Sequence, residues 1–214
     1  MKLLIGTANP GKIREFREML GADRFQWADL GGGAPVPPPE ETGTTFRENA
    51  CLKAAYYAKS MKTWAMADDS GLEVDALRGR PGVYSARWAE MHGEGKGDEA
   101  NNRLLLRQME GVPEEKRTAR FVCVLALADA EGKIILTARD TVEGRILRGP
   151  RGGNGFGYDP LFFIDEMGRT TAELEPGEKH RVSHRGKALR RMRGLMERVG
   201  AGGHSNDRIR NSNQ

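Results

Sequence analysis

The sequence predicts an α/β fold in which a mixed central β-sheet is flanked by helices. Strand and helix patterns alternate in the first half of the chain, which is typical of parallel βα units. Two long segments rich in β-branched residues follow, and the tight turn between them favours an antiparallel pair. The chain has 214 residues, enough for one sizeable domain or for two lobes that share a core. Its composition, 38% hydrophobic and 30% charged, is typical of a globular protein.

The first βα unit occupies the N-terminus. Residues Lys2–Gly6 form a short apolar run that predicts a buried strand. Asn9 then offers a helix cap, Pro10 takes the first helical position, and apolar residues recur at helical spacing. This helix is predicted to end near Gly21, and Arg24–Ala28 is predicted to form a short second strand.

The second βα unit begins after an irregular connection. Residues 31–43 contain runs of Gly and Pro and are predicted to lack regular structure. Thr45 and Glu48 match a capping box and predict a long helix that continues to about Lys59. The apolar residues of Thr63–Ala67 then predict a buried strand that leads directly into an acidic segment.

The same patterns predict the remaining elements. Helical periodicity covers Asp98–Met109, and the two antiparallel strands are Thr118–Ala128 and Lys133–Ile146. A glycine-rich loop leads to a further strand at Leu161–Ile164. The last helix is predicted to run from about Ser183 to about Val199.

The positive charge is confined to the C-terminal end of the chain. The net charge is +4, but residues 181–214 hold nine Lys or Arg against two Asp or Glu, so residues 1–180 sum to −3. A nucleic-acid surface requires a basic stripe interleaved with aromatic residues, and no aromatic residue follows Phe163. We therefore expect a folded domain over residues 1–199, a disordered basic tail over 200–214, and no nucleic-acid partner.

Cysteine usage and hydropathy indicate a cytoplasmic protein. Cys51 and Cys123 lie far apart and match neither metal-ligand spacing nor a disulfide framework. No apolar run approaches the roughly 20 residues that a membrane span requires. The N-terminal apolar run is too short for a secretory signal. We therefore expect a reducing compartment and no membrane association.

A candidate phosphate-binding turn joins the first strand to the first helix. A helix N-terminus presents unpaired backbone N–H groups and the positive end of the helix dipole, and both favour a phosphate. The spacing is not that of a Walker motif, because Ile13 follows the lysine. A capped helix with a solvated lysine explains the pattern equally well. The candidate residues of this turn are Thr7, Ala8, Asn9, Pro10, Gly11 and Lys12.

Adjacent carboxylates follow the strand of the second βα unit. Asp68 and Asp69 precede Ser70 at the predicted end of this strand, near the edge where open α/β sheets bind ligands. Carboxylate oxygens suit Mg²⁺, which binds one or two carboxylates together with substrate phosphates. Glu40 and Glu41 close the proline-rich connection and are candidates for a further metal ligand. The alternative is an ordinary turn, and the ordered pattern that continues beyond the acidic residues disfavours it.

A glycine-rich loop surrounds one aromatic residue. Four glycines lie around Phe156, so the backbone can approach a flat ligand closely. Phe156 is a candidate for stacking on a base, and Asp159 for holding a polar edge or supporting another binding residue. Gly157 and Tyr158 complete this candidate segment. The alternative is a flexible loop with an exposed aromatic residue.

Basic residues cluster where the last helix begins. Lys179, His184 and Arg185 lie near Ser183, which is a candidate helix cap. Their N–H donors suit a base edge or a phosphate, although a solvated basic face is the ordinary explanation of such a cluster. Lys53 on the long second helix is a further candidate cation, and its position favours a solvated lysine.

The order of these segments is more specific than any one of them. Together they closely resemble the inosine triphosphate pyrophosphatase family, also called non-canonical purine NTP pyrophosphatases. The resemblance extends over residues 2–199. The motifs that carry it are Thr-x-Asn-x-x-Lys (7–12), Glu-Thr-Gly-x-Thr-Phe-x-Glu-Asn-Ala (41–50), Ala-Asp-Asp-Ser-Gly-Leu-x-Val-Asp-x-Leu (67–77), Pro-Gly-Val-Tyr-Ser-Ala-Arg (81–87), Gly-Phe-Gly-Tyr-Asp-Pro-Leu-Phe (155–162) and Glu-Lys-x-x-x-Ser-His-Arg-Gly-x-Ala-Leu (178–189).

The resemblance implies a fold, a reaction and a set of roles. The implied fold has two lobes with a central cleft and is usually a homodimer. The implied reaction is Mg²⁺-dependent cleavage of ITP, dITP and XTP between the α- and β-phosphates, which yields the monophosphate and pyrophosphate. Asp69 is implied as the catalytic proton acceptor and metal ligand, with Glu40 or Glu41 as a further ligand. For Asp68 we expect either a second ligand or an orienting group. Substrate binding is implied for Thr7 to Lys12, Ser70, Phe156 to Asp159, Lys179, His184 and Arg185.

Two other functions fit parts of the sequence. A hydrolase of modified pyrimidine triphosphates, as in the structurally similar septum-associated nucleotide phosphatases, is disfavoured by the Ser-His-Arg-Gly segment at 183–186. A nucleotide- or RNA-binding module without catalysis would use the basic C-terminus. It predicts salt-sensitive RNA binding that is lost when residues 200–214 are removed.

Overall fold

The computed structural model describes residues 2–7, 9–20, 26–30 and 36–206 of the chain. Within these ranges, no helix is both long enough and apolar enough to cross a lipid bilayer. The described elements form an α/β fold around one mixed sheet, so the predicted fold class is confirmed.

Parallel strands form one side of the sheet. Strand β1 (Lys2–Ile5) pairs in parallel with β2 (Gln26–Asp29) on one side and with β3 (Trp64–Val74) on the other. Helix α1 (Pro10–Leu20) follows β1, and helix α2 (Phe46–Met61) precedes β3. Parallel neighbours need a crossover connection, and these helices supply it as the sequence predicts.

Antiparallel strands form the other side of the sheet. Strand β3 pairs with the short β4 (Arg80–Pro81) and with β5 (Thr118–Ala128), which in turn pairs with β6 (Ile134–Ile146). Strands β7 (Phe162–Ile164) and β8 (Arg169–Thr170) follow, so the described order is β2-β1-β3-β5-β6-β7-β8, with β4 beside β3. The predicted antiparallel pair of long strands is therefore confirmed.

Local capping explains where the first two helices begin. Asn9 Oδ1 accepts a hydrogen bond from the Lys12 N–H at 3.1 Å, so Asn9 caps α1 as predicted. At α2, the Glu48 N–H donates to Thr45 Oγ1 at 3.1 Å, and the Thr45 N–H donates to Glu48 Oε2 at 3.1 Å. This is the predicted capping box, and losing such a cap costs a helix ~1 kcal/mol.

A 3₁₀ segment and two helices connect β4 to β5. The 3₁₀ segment covers Gly82–Arg87 and is followed by α3 (Trp88–Met91) and α4 (Gly97–Gln108). Helix α4 is the one that periodicity predicts at Asp98–Met109. Its first turn is acidic, which complements the positive end of the helix dipole.

The C-terminal region contains two helices where the sequence predicts one. Helix α5 (Pro176–Val182) is followed by α6 (His184–Asn206), with Ser183 in an extended conformation between them. The Ser183 hydroxyl accepts a hydrogen bond from the first turn of α6 at 3.1 Å, as predicted for a cap. The helix end predicted at Val199 is wrong, because glycine weakens a helix without forbidding it. Residues 207–214 lie outside the described residues, and their disorder stays a prediction.

The core lies on both faces of the sheet. Because successive side chains of a strand point to opposite faces, Ala65 and Ala67 of β3 pack with α2, while Met66 packs with α1 and α6. A third cluster surrounds Leu72 and Phe121 at the far end of the long strands. The division into two lobes stays a prediction.

Candidate functional site

The two adjacent aspartates lie within a strand and not at its end. Asp68 pairs with Leu125 and Asp69 with Val124 in the ladder between β3 and β5. The predicted strand end is therefore wrong, because the backbone pairing with β5 continues through the acidic residues. Both side chains are buried, and they enter different surroundings because neighbouring residues of a strand face opposite ways.

Asp69 faces α2, where it pairs with a buried lysine. Lys53 Nζ lies 2.7 Å from Asp69 Oδ1 and 2.8 Å from Glu41 Oε1. The Asn49 amide donates to Asp69 Oδ2 at 3.4 Å. Lys53 is only 9% exposed, so the expectation of a solvated lysine is wrong. It lies one helical turn from both Asn49 and Tyr57, on the buried face of α2.

The surroundings of Asp69 and Glu41 shift the pKa values of the two carboxyl groups in opposite directions. Burial raises the pKa of Asp69 above its ordinary value, although the Lys53 ammonium opposes the change. Burial acts in the same direction on Glu41, but the Lys53, Lys12 and Arg87 charges outweigh it and lower the pKa of Glu41. Carboxyl groups whose pKa values are pushed apart suit different roles. Asp69 is the better proton acceptor, and Glu41 stays ionised.

Glu41, rather than Glu40, lies beside Asp69 and Lys53 in the site. The Glu40 side chain is exposed, whereas Glu41 contacts Lys53 at 2.8 Å and Arg87 Nη1 at 3.3 Å. The sequence leaves the choice between the two glutamates open. The geometry favours Glu41.

Asp68 faces the other side of β3 and holds two cations. Its Oδ2 lies 2.9 Å from Lys12 Nζ and 3.3 Å from Arg185 Nη2, and it accepts a hydrogen bond from Ser70 Oγ at 3.1 Å. Burial opposes ionisation, but these cations hold the pKa of Asp68 well below its ordinary value. Asp68 is absent from the described lining of the cleft. The geometry therefore favours the orienting role over the role of metal ligand.

Glu15 completes this network and is missing from the sequence prediction. Its Oε1 lies 2.8 Å from Lys179 Nζ, and its Oε2 contacts Arg185 Nη1. Burial opposes ionisation, but the Arg185 and Lys179 charges lower the pKa of Glu15 to about 2. The sequence could have indicated Glu15 through its spacing from Lys12, because residues i and i+3 share a helix face.

Phe156 lies over the cations of the site. Its ring centroid is 5.0 Å from Lys179 Nζ and 5.8 Å from Arg185 Cζ, within the range of a cation–π contact. Gly11 faces this ring, and a Cβ atom at Gly11 would lie 2.7 Å from a ring carbon. The close approach of α1 to Phe156 therefore requires glycine at this position.

Hydrogen bonds hold the glycine-rich loop in place. The Asp159 carboxylate accepts from the Phe156 N–H at 2.8 Å and from Lys179 Nζ at 2.7 Å. The Tyr158 hydroxyl donates to the Ser85 carbonyl at 2.9 Å. Asp159 and Tyr158 therefore both anchor the loop, which disfavours its interpretation as a flexible loop.

His184 is buried and neutral at the start of α6. Its ring stacks on Phe121 with centroids 4.9 Å apart and an interplanar angle of 18°. Burial, together with the Arg185 charge, lowers the pKa of His184 well below its ordinary value. Its Nδ1 finds no hydrogen-bond partner in the described part of the chain. A neutral imidazole donates from one nitrogen and accepts at the other, so it can match either kind of polar ligand edge.

One cleft collects most of the predicted residues. Its volume is about 300 Å³. Thr7 Oγ1 accepts from the Asn9 N–H at 3.2 Å and shapes the turn before α1, in which Pro10 is exposed and Ala8 lies outside the described residues. A larger concavity of about 790 Å³ around Arg78–Tyr84 contains no predicted site residue among those described. The predicted residues that line the cleft are Thr7, Asn9, Lys12, Glu41, Asp69, Ser70, Phe156, Gly157, Tyr158, Asp159, Lys179, His184 and Arg185.

The fold and the cleft define the class of this chain as an α/β protein with a charged cleft beside the long strands of a mixed sheet. Comparison with known proteins narrows the class to one family. Residues 3–195 match the Ham1 family, and the chain belongs to it.

Relatives and solved structures extend over nearly the whole chain. A protein of an Exiguobacterium species, named dITP/XTP pyrophosphatase, is 54% identical over 192 residues, which are 90% of this chain and 95% of the relative. The dITP/XTP pyrophosphatase of Bacillus subtilis is 46% identical over 197 residues, 91% of this chain and 96% of that protein. A HAM1 protein from Coxiella burnetii has 38% identity and a TM-score of 0.82, covering 92% of this chain and 99% of its own. The family resemblance drawn from the motifs is thus confirmed.

Proposed function

We propose that this protein is a nucleoside-triphosphate pyrophosphatase that hydrolyses ITP, dITP and XTP to the monophosphate and pyrophosphate. The reaction removes non-canonical purine nucleotides from the nucleotide pool. The observation that carries the proposal is a single cleft in which Asp69, Glu41 and Lys53 lie beside the turn of Lys12. The names of the relatives from Exiguobacterium and Bacillus subtilis support dITP and XTP among these substrates.

The donors of the cleft fit a magnesium ion. Asp69 and Glu41 lie 2.7 and 2.8 Å from Lys53 Nζ. The two carboxylates are therefore close enough to share one cation. Among the described residues, no three His, Cys, Asp or Glu side chains converge into a metal cage. Mg²⁺ needs only one or two carboxylates from the protein, because substrate phosphates and water complete its shell. We assign Asp69 and Glu41 as its ligands, and the bound ion supplies charge neutralisation at the phosphates.

The turn before α1 suits the triphosphate. The first N–H groups of a helix have no partner within the helix, and the dipole there favours negative charge. Lys12 adds an ammonium group whose side chain is 14% exposed and which Asp68 holds at 2.9 Å. These donors stabilise the charge that develops on pyrophosphate as it leaves.

Asp69 is the residue that accepts a proton from the attacking water. Burial raises the pKa of Asp69 above its ordinary value, which favours proton uptake. A metal ion held by the same carboxylate opposes this change, so the two roles of Asp69 compete. Lys53 and Asn49 each hold one of its oxygens, at 2.7 and 3.4 Å, so the carboxylate is fixed in orientation. Water attack then breaks the bond between the α- and β-phosphates, and the proton passes to Asp69.

Aromatic and cationic groups suit the purine base. Phe156 offers a face for stacking, and His184 and Arg185, which line the same cleft, carry N–H groups that can serve as donors. Inosine and xanthine carry an acceptor, O6, where adenine carries an amine. A donor that faces adenine is left unpaired at a cost of ~1–3 kcal/mol, so the cleft disfavours ATP.

A homodimer in the cytoplasm belongs to the same proposal. The family resemblance supports the dimer. Among the described residues, Cys51 and Cys123 are both free thiols, which supports a reducing compartment. Light scattering after gel filtration measures the oligomer, and a mass of one chain would contradict the dimer.

The decisive experiment measures pyrophosphate release from ITP, XTP, dITP, GTP, ATP and dTTP with Mg²⁺. We expect rapid release from the first three and a loss of at least about a hundredfold in Asp69→Asn, which removes the proton acceptor.

Glu41→Gln and Glu40→Gln form a matched pair of neighbouring variants that test the metal ligand. We expect only Glu41→Gln to raise the Mg²⁺ concentration needed for half-maximal rate. Turnover of ATP or GTP equal to that of ITP contradicts the specificity, and an active Asp69→Asn contradicts the site. No turnover of any triphosphate would favour a binding module.

A further inference from the structure

We propose that helix α4 positions the aromatic residue of the base site, with Asp98 and Asn102 as positioning residues for Phe156. The inference rests on the proposed function, because it takes Phe156 as the residue that stacks on the base. Neither positioning residue is among the candidates drawn from the sequence motifs. Both act through the backbone of the glycine-rich loop.

One face of α4 holds both backbone groups of Gly157. The Gly157 N–H donates to Asp98 Oδ2 at 2.6 Å, and Asn102 Nδ2 donates to the Gly157 carbonyl at 2.9 Å. Asp98 and Asn102 are four residues apart, so they share a helix face. Gly157 has φ +64°, a left-handed conformation that glycine adopts without strain. The contact therefore fixes a turn that few other residues could form.

Two carboxylates fix the backbone on either side of the Phe156 side chain. The Phe156 N–H donates to Asp159 Oδ2 at 2.8 Å, and the next N–H, that of Gly157, donates to Asp98 at 2.6 Å. These two N–H groups bracket the φ and ψ angles of Phe156. Holding both therefore sets the direction in which the ring leaves the backbone, toward Lys179 Nζ at 5.0 Å.

Helix α4 is also tied to the strand that carries the catalytic aspartate. Asn101 Nδ2 donates to the Ala86 carbonyl at 3.2 Å, which joins α4 to the 3₁₀ segment. Ser85 Oγ in that segment accepts from the Leu72 N–H of β3 at 2.8 Å. These hydrogen bonds, linked through neighbouring residues of the chain, connect β3 through the 3₁₀ segment and α4 to the glycine-rich loop. They set the position of Phe156 relative to Asp69.

The expected consequence is a selective effect on substrate affinity. Stacking on the base contributes about equally to the bound substrate and to the transition state, so its loss raises KM and leaves kcat largely unchanged. The groups assigned to the phosphates and the proton lie on other elements. A change at Asp98 should therefore leave the chemical step intact.

The test compares Asp98→Ala with Glu99→Ala. Both remove one negative charge from the first turn of α4, so both change the interaction with the helix dipole equally. Glu99 is exposed and pairs only with Arg103 among its described contacts. We expect Asp98→Ala to raise the KM for ITP about tenfold, as the loss of a charge-assisted hydrogen bond permits, with kcat within about twofold of wild type. Glu99→Ala should match wild type, and Asp98→Asn should recover most of the affinity, because its amide oxygen still accepts from Gly157.

Two further measurements separate positioning from a general loss of stability. In a Phe156→Leu background, adding Asp98→Ala should leave KM unchanged, because the residue acts through the ring. Amide hydrogen exchange at Gly157 should accelerate in Asp98→Ala and in Asn102→Ala, and stay at the wild-type rate in Glu99→Ala. This readout stands even if ITP is not the substrate, in which case only the proposed function fails. Equal KM and equal exchange in Asp98→Ala and Glu99→Ala, or additive effects with Phe156→Leu, would overturn the positioning role.

Discussion

Replacing Glu15 with glutamine removes a buried carboxylate from between Lys179 and Arg185. The pKa of Glu15 falls from its ordinary 4.5 to about 2, because these two charges outweigh its burial. A shift of that size corresponds to about 3 kcal/mol of stabilisation of the folded, ionised protein at neutral pH. Each cation keeps a second carboxylate partner, Lys179 with Asp159 at 2.7 Å and Arg185 with Asp68 at 3.3 Å. We therefore expect Glu15→Gln to destabilise the protein by about 3 kcal/mol and not more.

The assay is urea unfolding of both proteins at several pH values. A lowered folded-state pKa gives stability that is present above pH 4.5 and is lost as the pH falls toward 2. The difference between wild type and Glu15→Gln should therefore be constant from pH 7 to pH 6 and smaller by roughly 1 kcal/mol at pH 4. Glu18→Gln on the same helix is the control. Its carboxylate is 40% exposed, so we expect a loss below about 1 kcal/mol. A Glu15→Gln protein as stable as wild type at pH 7, or a difference that grows on acidification, would contradict the stabilising role of the Glu15 carboxylate.

Three more substitutions test the site. Gly11→Ala should raise the KM for ITP severalfold, because the added Cβ would lie 2.7 Å from the Phe156 ring and displace it; an unchanged KM would contradict the contact. Lys53→Met should increase the rise in melting temperature on adding Mg²⁺, because the ammonium no longer occupies the space beside Asp69; a smaller rise would contradict the assigned ligands. The pKa of His184 is lowered in the folded protein, so the unfolded chain takes up the proton first, and stability falls as the pH drops below 6.5. His184→Gln should remove up to about 1.4 kcal/mol per pH unit of this dependence, measured as unfolding free energy between pH 6.5 and 5.5; an identical slope would show that His184 is not buried neutral.

Local signals were sufficient for most of the fold. The capping box at Thr45 and the cap at Asn9 are short-range patterns, and both are present as predicted. The long antiparallel strands are also local, because β-branched residues and a tight turn mark them. The end of the last helix at Asn206 was not predictable from its glycines, since their cost to a helix is small and is offset by neighbouring helix formers.

Pairing across the sheet explains what the sequence did not reveal about the site. Asp68 and Asp69 have the composition of a turn, and only the partner strand β5 shows that they continue a ladder. Lys53 and Glu15 look like solvated helix residues. Their burial depends on contacts with Asp69 and Arg185, which lie 16 and 170 residues away. Charge pairs at such separations leave no periodic signal, so they emerge only from the fold.

The pairing register between β3 and β5 determines which face of the sheet each of the two aspartates occupies. Ten consecutive pairs, from Ala65 with Ala128 to Val74 with Ala119, run without a shift. Inserting or deleting one residue in β3 before Asp68 would change the parity of everything after it and exchange the sides that the two carboxylates face. Asp69 would then lie beside Lys12 and Arg185, and Asp68 would lie beside Lys53. Side-chain substitutions in β3 can adjust one side at a time, but a change in its length disrupts both sides at once.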